Sequence, residues 1–96
     1  MTHPLQASWD RTAGHLSDAE RALGGVPHPA LAEYRHFLAH NELGLAMESL
    51  EAAGDALGAP PGFWRALQAA AAEMGLAERS RVYAARIRGE PPGAGS

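Results

Sequence analysis

The sequence predicts an all-α protein, a small antiparallel bundle of four to five short helices. Alanine supplies 21 of the 96 residues and leucine another 11, and both residue types favour helices. Apolar residues also recur at helical spacing, in segments divided by glycine and proline. The side chains that favour strands are scarce, and the β-branched residues are only Thr2, Thr12, Val26, Val82 and Ile87. We therefore expect a single helical domain over residues 1–88 and exclude most β architectures.

The first segment contains either one kinked helix or two short ones. Its apolar residues follow one stripe: Leu5, Trp9, Leu16 and Leu23. Gly14 interrupts this stripe, and Ser17-Asp18-Ala19-Glu20 forms a capping box that could start a second helix. Gly24-Gly25 is expected to end the segment.

The second helix is predicted from Pro29 to His40, because proline suits the first position of a helix. Asn41 is predicted to be the N-cap of the third helix, with Glu42 beside the positive end of the helix dipole. Gly58 is expected to close this third helix.

The fourth helix is predicted over residues 63–74, with Gly75 as its stop, and the fifth from Ala77 to Arg88. The Gly- and Pro-rich tail, residues 89–96, is expected to be flexible because it has no large apolar side chain to bury. The predicted core draws on Leu31, Tyr34, Leu38, Leu43, Met47, Leu50, Phe63, Leu67 and Met74.

Charge and composition exclude several classes of function. The formal net charge is −3, whereas a nucleic-acid-binding domain presents a basic face to the phosphates. No cysteine is present, so disulfides, thiolate zinc sites and thiol catalysis are excluded. No apolar run approaches the roughly 20 residues that cross a bilayer. We expect a cytoplasmic protein that binds neither nucleic acid nor membrane.

Two histidines have the spacing of metal ligands but lack partners in any recognisable pattern. His36 and His40 lie four residues apart on one predicted helix, and Glu42 is the only nearby third ligand. No nucleophile with a base, phosphate-binding loop or glycine fingerprint occurs. We therefore expect no metal, no cofactor and no catalytic residues, and we predict that the protein is not an enzyme.

The charge is distributed unevenly along the chain, which is informative. Residues 41–59 contain four acids, namely Glu42, Glu48, Glu51 and Asp55, and no base. At about 100° per residue, the last three lie within about 60° of one another, and we call them the acidic ridge. The ridge is interpreted either as a solvated face, as a partner for the arginines of residues 79–96, or as a docking surface for a basic protein.

Trp64 is the other candidate for contact with a partner. It follows Phe63 directly, and adjacent residues of a helix point about 100° apart, so both rings cannot face the same core. Phe63 continues the core stripe. Trp64 is expected either to pack at the core or its edge, which is favoured, or to lie in an interface.

The stretch from Tyr34 to Leu76 resembles small bacterial immunity proteins of the Maf type (MafI-like), which belong to polymorphic and contact-dependent toxin systems. The similarity lies in "FL-x-x-N-E-L-x-L-A" from Phe37, "FW-x-x-L" from Phe63 and "M-G-L" from Met74. The resemblance covers a little under half of the chain, and its motifs consist mostly of core and capping residues.

The resemblance implies a protein that neutralises a cognate toxin by binding and occluding it, without chemistry of its own. The toxin would be a protein with a basic surface, such as a nuclease domain. The alternative is a generic helical interaction module, such as an adaptor or a small regulatory subunit. Glu42, Glu48, Glu51, Asp55 and Trp64 are the predicted partner-binding residues, and the oligomeric state is left open.

Overall fold

A computed structural model of the chain describes residues 6–89, and these residues form a bundle of helices. The helices are α1 (Gln6–Ala22), α2 (Pro29–Ala39), α3 (Leu43–Leu57), α4 (Pro61–Glu73) and α5 (Ala77–Ile87). Within the described part of the chain no strand occurs, so the predicted all-α class is confirmed. None of these helices is long and apolar enough to cross a membrane.

The first segment is one continuous helix. Gly14 lies inside α1, where nothing is within 4 Å of the position that a Cβ atom would take. The predicted capping box therefore restarts no helix, and its Ser17 and Glu20 lie within α1. The buried stripe of Thr12, Leu16 and Ala19 gives α1 a core-facing side that continues past Gly14.

The prediction that Asn41 caps the third helix is wrong. Asn41 has a φ of 57°, the left-handed conformation, and its N–H donates to the carbonyl of Leu38 at 3.1 Å. The N–H of Glu42 donates to the carbonyl of Phe37 at 2.9 Å. Asn41 thus ends α2, because asparagine tolerates the left-handed conformation that helix ends use. Glu42 is the N-cap of α3, without a side-chain capping bond.

Glycines end the later helices as predicted. Gly58 and Gly75 have φ values of 64° and 73°, and they follow α3 and α4 where the chain must turn. Helix α4 begins at Pro61, two residues before the predicted start. The predicted tail, residues 89–96, lies outside the described residues except for Gly89, whose N–H donates to the carbonyl of Arg86 at 3.0 Å.

The core follows the predicted stripes. Seven of the nine predicted core residues are buried, and Leu38 and Met74 are half-buried and packed against the others. Of the largest fully buried side chains, the predicted core omits three, namely Thr12, Leu16 and Tyr83.

Helix α4 is central, because α1, α3 and α5 all pack against it, while α2 packs on α3. An ion pair joins Arg11, in the first half of α1, to Glu73 at the end of α4, so these two helices are antiparallel. Gly54 permits the close approach of α3 and α4, because a Cβ atom there would lie 2.2 Å from Cε1 of Phe63. This packing places the outward side of α3 beside α5.

Candidate functional site

The outward side of α3 carries the predicted partner-binding acids. Glu48 and Asp55 are exposed there, together with Ala52. Leu45 lies on the same side with 44% of its surface exposed. The face therefore combines negative charge with apolar surface.

Glu42 and Glu48 are free to meet a partner. Both are exposed, and within residues 6–89 neither side chain forms a hydrogen bond or an ion pair. Glu42 stands at the N-cap of α3, where its charge is favourable to the helix dipole. Glu48 lies further along the outward face of the same helix.

Glu51 is engaged by α5 instead. Nη1 of Arg79 donates to both carboxylate oxygens of Glu51, at 3.1 and 3.2 Å. The hydroxyl of Tyr83 donates to Oε1 of the same carboxylate at 2.7 Å. The Glu51 side chain is only 21% exposed, so these bonds replace water that it would otherwise bind.

Asp55 is also paired with α5. Nη1 of Arg86 lies 2.6 Å from Oδ1 of Asp55. The guanidinium carbon of Arg86 lies 5.0 Å from the ring centre of Trp64, which is cation–π geometry. Nε of Arg86 is buried and has no hydrogen-bond partner within the described residues. Arg86 thus connects α3 to α4, with one donor left unsatisfied.

Two acids of the acidic ridge, Glu51 and Asp55, therefore pair with arginines of α5. This arrangement is one of the three interpretations that the sequence allowed for the ridge. Glu51 and Asp55 stabilise the position of α5, and within residues 6–89 Glu48 forms no ion pair. The predicted docking surface is reduced to Glu42 and Glu48 with Leu45 beside them.

Trp64 is 5% exposed, so its ring is not available to a partner in this arrangement. It stacks edge-on against Phe63, with ring centres 4.8 Å apart, and lies 5.9 Å from the ring of Tyr83. The favoured interpretation, packing at the core, describes its environment. Phe63 and Trp64 point in different directions from α4, and both are buried because α5 covers the side of α4 that Trp64 faces.

The pKa of Tyr83 is strongly shifted by this environment. Burial raises the pKa of its hydroxyl well above the ordinary value, and the hydrogen bond to Glu51 and the charge of Glu48 raise it further. Tyr83 therefore remains a neutral donor to the Glu51 carboxylate over the physiological pH range.

An apolar cleft of about 440 Å³ lies next to the amino end of α3. Its lining includes Trp9, Gly44, Met74 and Leu76, and Leu76 is 38% exposed. Gly44 lies one helical turn before Glu48, so the cleft adjoins the outward face of α3. Apolar surface thus extends from the acidic face toward the junction of α4 and α5.

The histidine pair does not form part of a larger cluster. The rings of His36 and His40 lie 4.5 Å apart, and Nδ1 of His40 is 2.9 Å from the carbonyl oxygen of His36. Among the residues that the structure describes, no group of three or more His, Asp or Glu side chains has the arrangement of a metal site.

Sequence reasoning named the arginines of residues 79–96 as one possible partner of the ridge, but it missed the role of Tyr83. Arg79, Tyr83 and Arg86 have the spacing i, i+4 and i+7, which places three side chains on one helical face. This spacing was a usable signal. The spacing could not identify Glu51 and Asp55 as the carboxylates that pair with these side chains, because the pairing depends on how α5 crosses α4.

Comparison with known proteins yields no relative from which a function could be transferred. No protein-family model matches the chain, and no curated protein or solved structure matches it either.

Proposed function

We propose that the protein is an immunity protein, which binds a cognate bacterial toxin and neutralises it by covering its working surface. The observation that carries this proposal is the outward face of α3, where Glu42 and Glu48 are exposed and unpaired within the described residues. Leu45 and the adjoining cleft add apolar surface to this negative charge. The resemblance of residues 34–76 to Maf-type immunity proteins supports the same function.

The mechanism requires no chemistry from this chain. Exposed carboxylates attract a basic toxin domain and speed its approach, while apolar contacts hold the complex once water is expelled. The exposed Leu45 and Leu76 provide such contacts. Bound in this way, the protein would exclude the toxin's substrate.

The acids have separate roles in this proposal. Glu42 and Glu48 meet the partner, and Glu51 and Asp55 are positioning residues that hold α5. A variant that reverses the whole acidic ridge would place lysines beside Arg79 and Arg86, and it would therefore weaken the fold as well as the binding.

Co-expression tests the proposal. We expect the neighbouring gene to encode a large secreted protein with a toxic carboxyl-terminal domain. Cells that express this domain alone should die, cells that also express the present chain should survive, and the two proteins should copurify. Survival unchanged by co-expression, with no copurification, would contradict the proposal. Copurification without survival would favour a generic interaction module.

A further inference from the structure

The face of α3 and α4 beneath α5 has the chemistry of a binding site for a helix. It presents two carboxylates, those of Glu51 and Asp55, and the aromatic ring of Trp64. We call these three residues the α5 groove. The helix that occupies it presents the complementary series of Arg79, Tyr83 and Arg86.

Helix α5 has fewer buried residues than any other helix in the described part of the chain. Tyr83 is its only fully buried residue among residues 77–87, while Val82 and Ile87 are half-buried. Its helix packing is against α4, and it reaches α3 through the ends of long side chains. An element with so little buried apolar surface belongs to the least stable part of a fold.

The side chain of Arg86 is also incompletely hydrogen-bonded among the described residues. Its Nε is buried without a hydrogen-bond partner in the described part of the chain. An unsatisfied buried donor lowers the stability of the state that contains it. The unsatisfied Nε of Arg86 therefore weakens the binding of α5 to the α5 groove.

We propose that α5 leaves the α5 groove as a unit while α1 to α4 stay folded, and that a partner helix with the same Arg, Tyr, Arg spacing takes its place. The residues that link α5 to α4 suit such a movement, since Gly75 has a left-handed backbone and Leu76 is 38% exposed. The inference rests on the proposed function only for the origin of the partner helix, which would belong to the toxin.

Amide hydrogen exchange of the full-length protein tests whether α5 opens by itself. Amides in the middle of α5, such as those of Val82 and Tyr83, should be protected at least about tenfold less than amides in the middle of α3 and α4. Glu51→Gln should lower the protection of α5 by about a further tenfold, because it removes a charged acceptor of three hydrogen bonds.

Leu31→Val is the decisive control, because it removes one buried methylene from α2 and leaves the α5 groove intact. The substitution should lower the protection of α3 and α4 several-fold and leave that of α5 unchanged. Equal protection of all helices, with α5 following the others in the Leu31→Val variant, would show that α5 opens only on global unfolding, and it would overturn the proposal.

A labelled peptide of residues 76–89 tests the exchange of helices. The peptide competes with a tethered helix whose effective concentration is about millimolar, so we expect weak binding near that concentration. A matched peptide with Arg79→Gln and Arg86→Gln should bind at least about tenfold more weakly at low salt, and the difference should shrink as salt increases. Equal binding of both peptides, or no binding of either at about 1 mM, would overturn the exchange of helices.

Neither measurement contains the toxin. A protein that fails to bind a toxin but shows independent opening of α5 would refute the proposed function alone. If the protein protects cells but the amides of α5 exchange hydrogen only on global unfolding, like those of the other helices, this inference alone is refuted.

Discussion

The hydroxyl of Tyr83 donates a 2.7 Å hydrogen bond to Oε1 of Glu51, across 32 positions of the sequence. This bond joins the last described helix to the middle of α3. It also removes Glu51 from the set of acids that a partner could meet. The contrast with Tyr34, whose buried hydroxyl has no partner within residues 6–89, gives a direct test of what the bond contributes.

Tyr83→Phe should lower the free energy of unfolding by about 1–2 kcal/mol, because Glu51 loses a donor in a partly buried site. Tyr34→Phe removes a hydroxyl that has no partner, so it should change stability by less than about 0.5 kcal/mol or increase it. Urea titration of both variants measures the difference. A larger loss for Tyr34→Phe than for Tyr83→Phe would contradict these assignments.

Stability should also fall in alkaline solution. Burial raises the pKa of Tyr34 to about 12 and raises that of Tyr83 as well, above the value of about 10 in an unfolded chain. Between the unfolded and the folded pKa of each tyrosine, the folded state binds more protons than the unfolded state. The free energy of unfolding therefore decreases as pH rises through this range. Each tyrosine should contribute up to about 1.4 kcal/mol per pH unit above pH 10, and full stability should be present below it.

Urea titrations between about pH 9 and pH 11.5 check this expectation, because this range spans the tyrosine pKa in the unfolded chain. The decrease should be smaller in Tyr34→Phe and in Tyr83→Phe than in the native protein. An unchanged slope in both variants would show that other groups cause the alkaline loss.

Gly54→Ala should destabilise the fold by about 1–3 kcal/mol, since its methyl group would overlap the buried ring of Phe63. Gly14→Ala is the matched control, because it adds the same methyl group to an exposed helical position with free space. It should increase stability by about 0.5–1 kcal/mol through helix propensity. Thermal unfolding of the two variants should therefore shift in opposite directions, and shifts of the same sign would refute the packing of α3 against α4.

Leu50→Ala should cost about 2–5 kcal/mol, because Leu50 is fully buried in α3. Denaturant unfolding measures this loss. A cost below about 0.5 kcal/mol, the scale of surface substitutions, would show that the outward and inward sides of α3 have been exchanged.

The helices could be predicted because their signals are local. Pro29, Gly58 and Gly75 act at the position where they stand, through fixed φ or through access to positive φ. Asn41 was assigned to the wrong helix because asparagine suits both an N-cap and a left-handed helix end, and the choice depends on the path of the chain.

The candidate site was less predictable because its charges are paired over long distances in sequence. The spacing of Glu48, Glu51 and Asp55 places them on one face, but it does not tell which of them meets an arginine. Arg79 and Arg86 reach Glu51 and Asp55 only because α5 packs on α4. The same geometry leaves Glu48 without an arginine partner in the part of the chain that the structure describes.

The association rate of the protein with the proposed toxin partner, measured at low salt for a single charge reversal, tests the account most directly. Glu48→Lys should slow association by about threefold or more, and the effect should shrink as salt increases, because the exposed carboxylate steers a basic partner. Glu33→Lys, which reverses an exposed charge on α2, should leave the rate close to that of the native protein. Equal rates for the native protein and the folded Glu48→Lys variant would contradict the claim that the outward face of α3 meets the toxin.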